Sequence, residues 1–303
     1  MTSTVNIKST DKVWYITGSS KGMGLIFVQR LLAYGFKVVG TSRDKQQLID
    51  AVGSVGNANN FLAIKVELTN EESIKASFEE ALSKFGRIDV VVNNAGFGLP
   101  GAVEENSDEE VRKTFDINVF AVFNVLRNVT PILRNQGYGH VFNISSTISL
   151  VGFEGFALYC ATKFAIDGLT EAYAMEVKPF GIKAMTINPA YFKTDFLTAD
   201  SFQTSAKKIP AYEGLHKVEE AMRTHMNGTQ RGDPVKLLDV ILRAFQETDD
   251  STDHLFVGAD AYPMIRTKLD KYKKDLDKWE QFATKTDRDD FVDPSSIVVQ
   301  TSN

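Results

Sequence analysis

The short apolar run Val13-Trp14-Tyr15-Ile16 passes directly into Thr17-Gly18-Ser19-Ser20-Lys21-Gly22-Met23-Gly24 and then into a helical pattern. β-Branched and aromatic residues side by side mark a buried strand, and strand, glycine-rich turn and helix come in the order that a dinucleotide-binding unit requires. In such a unit Gly18 takes up the tight turn, Gly22 leaves room for the backbone to approach a pyrophosphate, and Gly24 lets the helix lie close to the sheet. The helix N-terminus then faces the phosphates, with Ser20, Lys21 and Met23 beside them. Ile26, Phe27, Leu31 and Leu32 give the helix a buried side, and Gly35 caps it before the next strand. Glycines are frequent at any strand-to-helix turn, so the weight rests on what flanks them.

The same alternation continues downstream. Strand-like runs over 37–41, 61–66, 90–93, 140–145 and 182–188 alternate with helical patterns over 71–85, 111–133 and 157–177. This predicts an α/β, Rossmann-type doubly wound parallel sheet with helices on both faces. The 303 residues can bury a substantial core, and without an internal repeat or low-complexity linker they read as one domain over 12–260. A disordered arm over 1–11 precedes it. A last helix-and-strand unit over 235–246 and 255–257 leads into an amphipathic helix over 261–283. In that helix Ile265, Leu269, Tyr272, Leu276 and Trp279 recur at helical spacing, which predicts packing on the body or on a partner subunit. The tail over 284–303 reads as loosely ordered.

Charge and composition narrow the function. The formal charge is −5 with no basic stripe, which argues against nucleic acid as the main partner. The one cysteine, Cys160, excludes an internal disulfide, agrees with a reducing compartment and reads as a packing residue. Residues 1–12 lack the apolar core of a signal peptide, and no stretch is apolar enough to cross a bilayer, so no membrane role is expected and the cytoplasm is the default location. His140, His216, His225 and His254 show no compact ligand spacing, and no metal is expected.

The second strand ends in Ser42-Arg43, where an NAD-selective site usually carries a carboxylate for the free ribose hydroxyl. Ser42 is small and neutral, and Arg43 and Lys21 can flank an extra 2′-phosphate, which favours NADP(H) over NAD(H). Asp44 lies one residue late for the ribose acid and keeps NAD open as the alternative.

Tyr159 and Lys163 stand four apart in Tyr159-Cys160-Ala161-Thr162-Lys163, with Ser146 thirteen residues upstream of the tyrosine. Residues at i and i+4 share a helix face, so both heads can enter one cleft. A phenol loses its proton near pH 10, and an adjacent cation can lower that by roughly 1–3 units, while a serine hydroxyl can bind the reacting oxygen. The constellation fits carbonyl–alcohol chemistry. A Tyr and a Lys at this spacing are common on amphipathic helices, and their meaning comes from the rest of the chain.

With Thr17-Gly18-x-x-x-Gly22-x-Gly24, Asn93-Asn94-Ala95-Gly96, Asn118, Ser146, Tyr159 and Lys163 in order, the chain resembles the short-chain dehydrogenase/reductase family from about Val13 to Thr194. The resemblance implies Tyr159 as general acid in reduction and base in oxidation, Ser146 as the group that positions the substrate oxygen, and Lys163 as the cation that lowers the tyrosine pKa and holds the nicotinamide ribose. Asn118 then completes a proton relay from a disturbed helix. Asn94, Ala95 and Gly96 border the coenzyme, Pro189 and Thr194 meet the carboxamide end of the nicotinamide, and Glu67 with Leu68 meets the adenine. Two departures from the family pattern are Ala190, where a glycine is usual and a slightly shifted loop follows, and Glu67, where an aspartate is usual.

By the same resemblance, the segment over about 196–231 is the variable substrate lid. Phe97, Leu99, Leu150, Phe153, Phe156, Tyr191 and Phe192 either line an aromatic pocket for a bulky apolar ketone or alcohol or simply pack the core. The family implies a small-molecule carbonyl or alcohol as substrate and a homodimer or homotetramer as the assembly. A non-catalytic NAD(P)H-binding sensor would be expected to lose the catalytic Ser, Tyr or Lys. An NAD-dependent epimerase or dehydratase of the extended branch would carry a different glycine spacing and a larger C-terminal domain.

Overall fold

The computed structural model describes residues 10–198, 201–247 and 252–291. Among them seven strands form one sheet: β1 (Val13–Ile16), β2 (Lys37–Ser42), β3 (Phe61–Lys65), β4 (Val90–Asn93), β5 (Gly139–Ile144), β6 (Ile182–Pro189) and β7 (His254–Val257). Their order is β3-β2-β1-β4-β5-β6-β7, and every neighbouring pair is parallel. The order reverses between β1 and β4, which opens a crevice at the carboxyl ends of those two strands.

Successive side chains of a strand point to opposite faces, and β1 uses both. Trp14 and Ile16 pack against Phe27 and Leu31 of α1 (Gly22–Ala33), Leu48 of α2 (Lys45–Val52) and Ile241 of α8 (Pro234–Gln246). Val13 and Tyr15 pack on the other face against Phe78 of α3 (Glu71–Phe85), Val125 of α5 (Ala121–Gln136) and Ile166 of α6 (Ala157–Val177). A strand covered on both faces must be apolar throughout, which is why β1 shows no polar alternation.

The helical pattern over 111–133 resolves into α4 (Asp108–Phe115), a single π-helical turn over Asp116–Phe120, and α5. Ser107 caps α4 by accepting the Glu110 N–H while the Glu110 carboxylate accepts the Ser107 N–H. The segment after β6 contains α7 (Glu213–Ala221), which sequence periodicity does not reveal.

The last helix, α9 (Ala261–Ala283), has the expected bounds, and the body covers only its start. Only Ala261 and Ile265 are buried, and from Leu269 onward every residue is exposed. Its start packs on β7 and on the turn over Thr147–Ser149. β7 is a four-residue edge strand, so the body supports only the beginning of the helix. Residues 284–291 are exposed, while the rest of the expected tail and positions 1–9 of the expected arm lie outside the described residues.

Asp89 fixes the entry to β4. Its buried carboxylate accepts the Val13 N–H at 2.9 Å, the Lys12 ammonium at 3.1 Å and the Arg87 guanidinium through both oxygens. Lys12 and Arg87 both reach solvent, so losing Asp89 leaves chiefly the buried Val13 N–H without a partner, at a cost of about 1–3 kcal/mol. Asp89→Ala is therefore expected to lower unfolding stability by about that amount. Urea titration followed by circular dichroism measures it, and a loss within the error of the titration would mean that the cluster contributes no net stability.

Candidate active site

The ends of β1 and β4 are tied together beneath the crevice. Thr17 Oγ1 accepts the N–H groups of Asn94 and Ala95 at 3.0 and 3.1 Å, and Asn94 Nδ2 donates to the carbonyls of Thr17 and Gly18 at 3.0 Å each. Gly18 has φ 65°, and a Cβ there would lie 2.9 Å from the Ala95 Cα. A Cβ on Gly24 would collide with the Gly18 carbonyl and with Asn94 Nδ2, so Gly24 supports the turn from behind.

In front of the turn lies a cleft of about 410 Å³. At one end it is lined by Ser42, Arg43, Glu67 and Leu68; along its floor by Gly18, Ser20, Lys21, Gly22, Met23, Asn94, Ala95 and Gly96; and at its centre by Ser146, Tyr159, Lys163, Pro189 and Thr194. Each of these stood as a coenzyme or catalytic candidate in the sequence. Gly24 and Asn118 are the two candidates that do not line it. Asn118, in the π turn, clamps the segment that does: its Oδ1 accepts the Phe97 N–H at 3.0 Å and its Nδ2 donates to the Phe97 carbonyl at 2.8 Å. It also reaches Thr162 on the helix that carries Tyr159 and Lys163.

Asp44, the residue that kept a ribose acid open, has another task. Its carboxylate caps α2 by accepting the Gln47 N–H at 3.0 Å, and Ser42 Oγ accepts the Asp44 N–H at 3.2 Å. Ala190 sits without left-handed backbone, since no described non-glycine residue has positive φ, and donates its N–H to the Val257 carbonyl at 2.9 Å.

Ser145 and Ser146 diverge at the end of β5. Ser145 is buried, with its hydroxyl turned toward the Lys163 carbonyl at 3.4 Å, whereas Ser146 lines the cleft and caps the turn over Thr147–Ser149. Lys163 Nζ donates to the Ile144 carbonyl at 2.8 Å and lies 5.5 Å from the centre of the Tyr159 ring. Burial draws the lysine pKa from 10.5 down to about 8 against the attraction of Asp167. Burial also pushes the Tyr159 phenol above its ordinary value, and Cys160 adds to the rise. Lys163 is not among the causes that move the phenol: desolvation disfavours phenolate and ammonium alike, and the ammonium is directed at a carbonyl.

Several groups in the site left no sequence signal. Asp195 accepts the Gly22 N–H at 3.1 Å, so a carboxylate of the chain satisfies a donor in the first turn of α1. The lid folds back onto Gly98, whose N–H reaches the Ser201 carbonyl at 2.8 Å and whose carbonyl accepts from Gln203 at 2.9 Å. This brings Phe196 to 5.6 Å from the Tyr159 ring, with Phe202 behind it, and adds Met222 and Met226 to the cleft lining. Of the expected lining, Phe97, Phe153, Phe156, Tyr191 and Phe192 are in place, while Leu99 packs with Leu158 in the core and Leu150 does not line the cleft.

Glu105 anchors the lid. Its carboxylate accepts Ile209 N–H and His216 Nε2–H at 2.7 Å and Ala102 N–H at 3.0 Å. Burial opposes the charge, but these donors outweigh it and draw the carboxyl to about 2.

The chain belongs to the short-chain dehydrogenase family. The family model for short chain dehydrogenases matches residues 12–204. The oxidoreductase BOA17 of Botryotinia fuckeliana is 30% identical over 272 residues, 90% of this chain and 98% of its own. A 3-ketodihydrosphingosine reductase of Bacteroides thetaiotaomicron is 38% identical over 217 residues, covering 66% of this chain and 77% of its own. A crystal structure of a short-chain dehydrogenase from Streptomyces avermitilis superposes with TM-score 0.83 at 34% identity, over 91% of this chain and 99% of that one. The protein is thus an oxidoreductase of this family, whose solved members carry NADH in one case and NADP in another.

Behind Ser146 lies a buried polar network. Asp167 accepts from Ser149 Oγ at 2.6 Å and from Asn188 Nδ2 at 3.0 Å, and Asn188 Nδ2 also reaches the Ser146 carbonyl at 3.3 Å. His254 Nδ1 lies 3.4 Å from Asp167 Oδ2, and the bond to Asp167 raises the histidine pKa above 6.5 against burial, with Glu171 and Asp253 adding to the rise. A raised histidine pKa contributes stability that is full below about 6.5 and is lost as the pH rises through the folded value. The stability difference between wild type and His254→Gln, from urea titrations at pH 5.5 to 9, is expected to be largest at the acid end and to shrink upward. A gap independent of pH would show that the histidine gains no proton on folding.

Proposed function

We propose that this protein is an NADP(H)-dependent reductase of bulky apolar ketones or aldehydes, able to run in reverse on the alcohols. The observation that carries the reading is the convergence of Ser146, Tyr159 and Lys163 on the same cleft as the glycine turn, with an aromatic wall beyond them. The non-catalytic alternative gains nothing from a site whose three reactive side chains all face the cleft.

The residues fit a nicotinamide dinucleotide. The turn is shaped so that a Cβ on Gly18 or Gly24 meets backbone, which keeps its surface flat for a pyrophosphate. Ser42 and Arg43 line the end where the adenosine ribose would lie, with Lys21 on the adjoining floor; of the acids nearby, Asp44 is occupied in capping α2, and Glu67, at the same end, accepts the Thr69 hydroxyl at 2.9 Å. Both points favour a 2′-phosphate. When bound, the coenzyme supplies or accepts the hydride; everything else falls to the protein.

Ser146 donates a hydrogen bond to the substrate oxygen and fixes it beside Tyr159. The phenol is protonated at neutral pH, because burial raises its pKa, and this is the form that a general acid needs when a carbonyl becomes an alcohol. Lys163, tethered to the Ile144 carbonyl, would hold the nicotinamide ribose hydroxyls and is the nearby ammonium from which the phenolate would be reprotonated, while Asn118 acts from behind the cleft by clamping Phe97. Phe153, Phe156, Phe196, Phe202, Met222 and Met226 offer an apolar wall suited to a long-chain, steroid-like or aromatic substrate. The single cysteine, buried Cys160, suits the reducing cytoplasm, where we place the enzyme.

Tyr159→Phe is expected to lower reductase turnover by at least about 10²-fold while changing the coenzyme Kd little, since it removes the proton and keeps the ring. Stopped-flow turnover on a panel of ketones together with coenzyme titration tests this. Near-wild-type reduction would remove Tyr159 from its role.

Arg43→Ala is expected to weaken NADP(H) about tenfold to a hundredfold, the loss of a charge-assisted bond worth about 1.5–3 kcal/mol, and to leave NAD(H) binding unchanged. Fluorescence titration of both coenzymes decides between a phosphate pocket and an ordinary surface cation. Equal weakening of both would discard the pocket.

A further inference from the structure

The exposed part of α9 carries an apolar seam that no part of the chain's described residues covers. Leu269, Tyr272, Leu276 and Trp279 are 51%, 44%, 70% and 56% exposed. Their spacing of three and four continues back to Tyr262 and Ile265 and forward to Ala283, which is an unbroken heptad repeat with a positions at Tyr262, Leu269, Leu276 and Ala283 and d positions at Ile265, Tyr272 and Trp279. A helix projecting freely for roughly four turns is marginal in water, since helices of this length draw their stability from packing an apolar face. Lys268 and Lys278 lie over the Tyr272 and Trp279 rings at 4.5 and 5.2 Å, which only partly shields the seam.

We propose that α9 pairs with α9 of a second copy of this chain as an antiparallel coiled coil, centred near residue 274. Charge selects the direction. In a parallel pair each g residue meets the e residue of the next heptad on the partner, which sets Lys268 against the partner's Lys273 and Asp275 against the partner's Glu280, like charges throughout. In the antiparallel pair e faces e and g faces g, so Arg266 meets the partner's Glu280 twice, and the like-charge contacts are confined to Lys273 and Asp275 at the centre. Leu269 then packs with the partner's Trp279, and Tyr272 with the partner's Leu276.

Bulk points the same way. The body joins α9 within its first five residues, and a body of this size has a radius of gyration of about 18 Å. Coiled-coil axes stand about 8–10 Å apart, so a parallel pair would crowd two bodies at one end. An antiparallel pair places them at opposite ends of a helix about 35 Å long. A second copy also brings an identical seam, so Leu269, Tyr272, Leu276 and Trp279 each find an apolar position on the other helix.

The test uses the full-length enzyme. Sedimentation velocity at 5–50 µM on wild type and on Leu276→Glu/Trp279→Glu is expected to show the assembly mass halved in the variant, whether or not another surface also associates. Both residues are exposed, so far-ultraviolet circular dichroism and thermal unfolding of the body should be retained, while helicity falls by the free part of α9. Lys273→Cys is expected to form an inter-chain disulfide under mild oxidation, and Leu269→Cys is not, because only the former faces its own copy across the centre. An unchanged mass in the Glu variant overturns the proposal, as does cross-linking of Leu269→Cys in place of Lys273→Cys. Flotation of wild type, but not of the Glu variant, with phosphatidylserine vesicles at a mass equal in both would assign the seam to a membrane surface instead.

Discussion

The hydrogen bonds that join Thr17 to the start of the loop after β4 are what the remainder of the site depends on. Thr17 Oγ1 receives two backbone N–H groups from Asn94 and Ala95, and the Asn94 amide returns two bonds to the carbonyls around Gly18. A parallel sheet leaves the ends of its strands to diverge where the order reverses, and these bonds hold that divergence to the width of one cleft. Gly18 can then approach Ala95 closely, and α1 meets the cleft with its N-terminus. From the far side, Asn118 fixes the next residues of the same loop through the Phe97 backbone. The coenzyme turn and the catalytic helix are thereby referred to one frame.

Burial, more than charge pairing, sets the electrostatics of the reactive groups. Tyr159 and Lys163 are both withdrawn from water, and both are moved toward their neutral forms, the phenol upward and the ammonium down to about 8. A neutral phenol facing an apolar wall is the form that the reduction we propose would require of a proton donor. The lysine keeps a carbonyl partner in Ile144, so its remaining N–H groups are available to hydroxyls in the cleft.

The lid is built by long-range polar anchors under an apolar inner face. Glu105 binds Ile209 and His216, Glu219 binds Thr204 and Lys208, and Ser205 is held between Asn106 and Pro100. These contacts lie outside the cleft, while Phe196, Phe202 and Met222 face into it. Fixing the lid from its outer side leaves Phe196, Phe202, Met222 and Met226 on the inner surface beside Ser201, Gln203 and Gln230, and these four side chains suit the large apolar substrate we propose.

Much of this was legible in the residues themselves. A buried strand must be apolar on both faces, so β1 and β4 could be read from four-residue runs, and helix spacing alone put Tyr159 and Lys163 on one face. The glycine turn, Ser146 and the aromatic lining followed from local pattern and resemblance. Other features have no local signature because their causes lie far apart in the chain. Asp195 meets Gly22 across 173 residues, and Met222, just beyond α7, reaches the cleft wall only because Glu105 and Gly98 draw the lid inward. Asp44 became a helix cap, which only the path of the chain after β2 could decide. The same holds for the phenol of Tyr159, whose proton affinity is set by how completely the fold excludes water. Sequence determined which groups meet in the cleft; tertiary structure decided their charge, because desolvation is a property of the packed surroundings and of no residue taken alone.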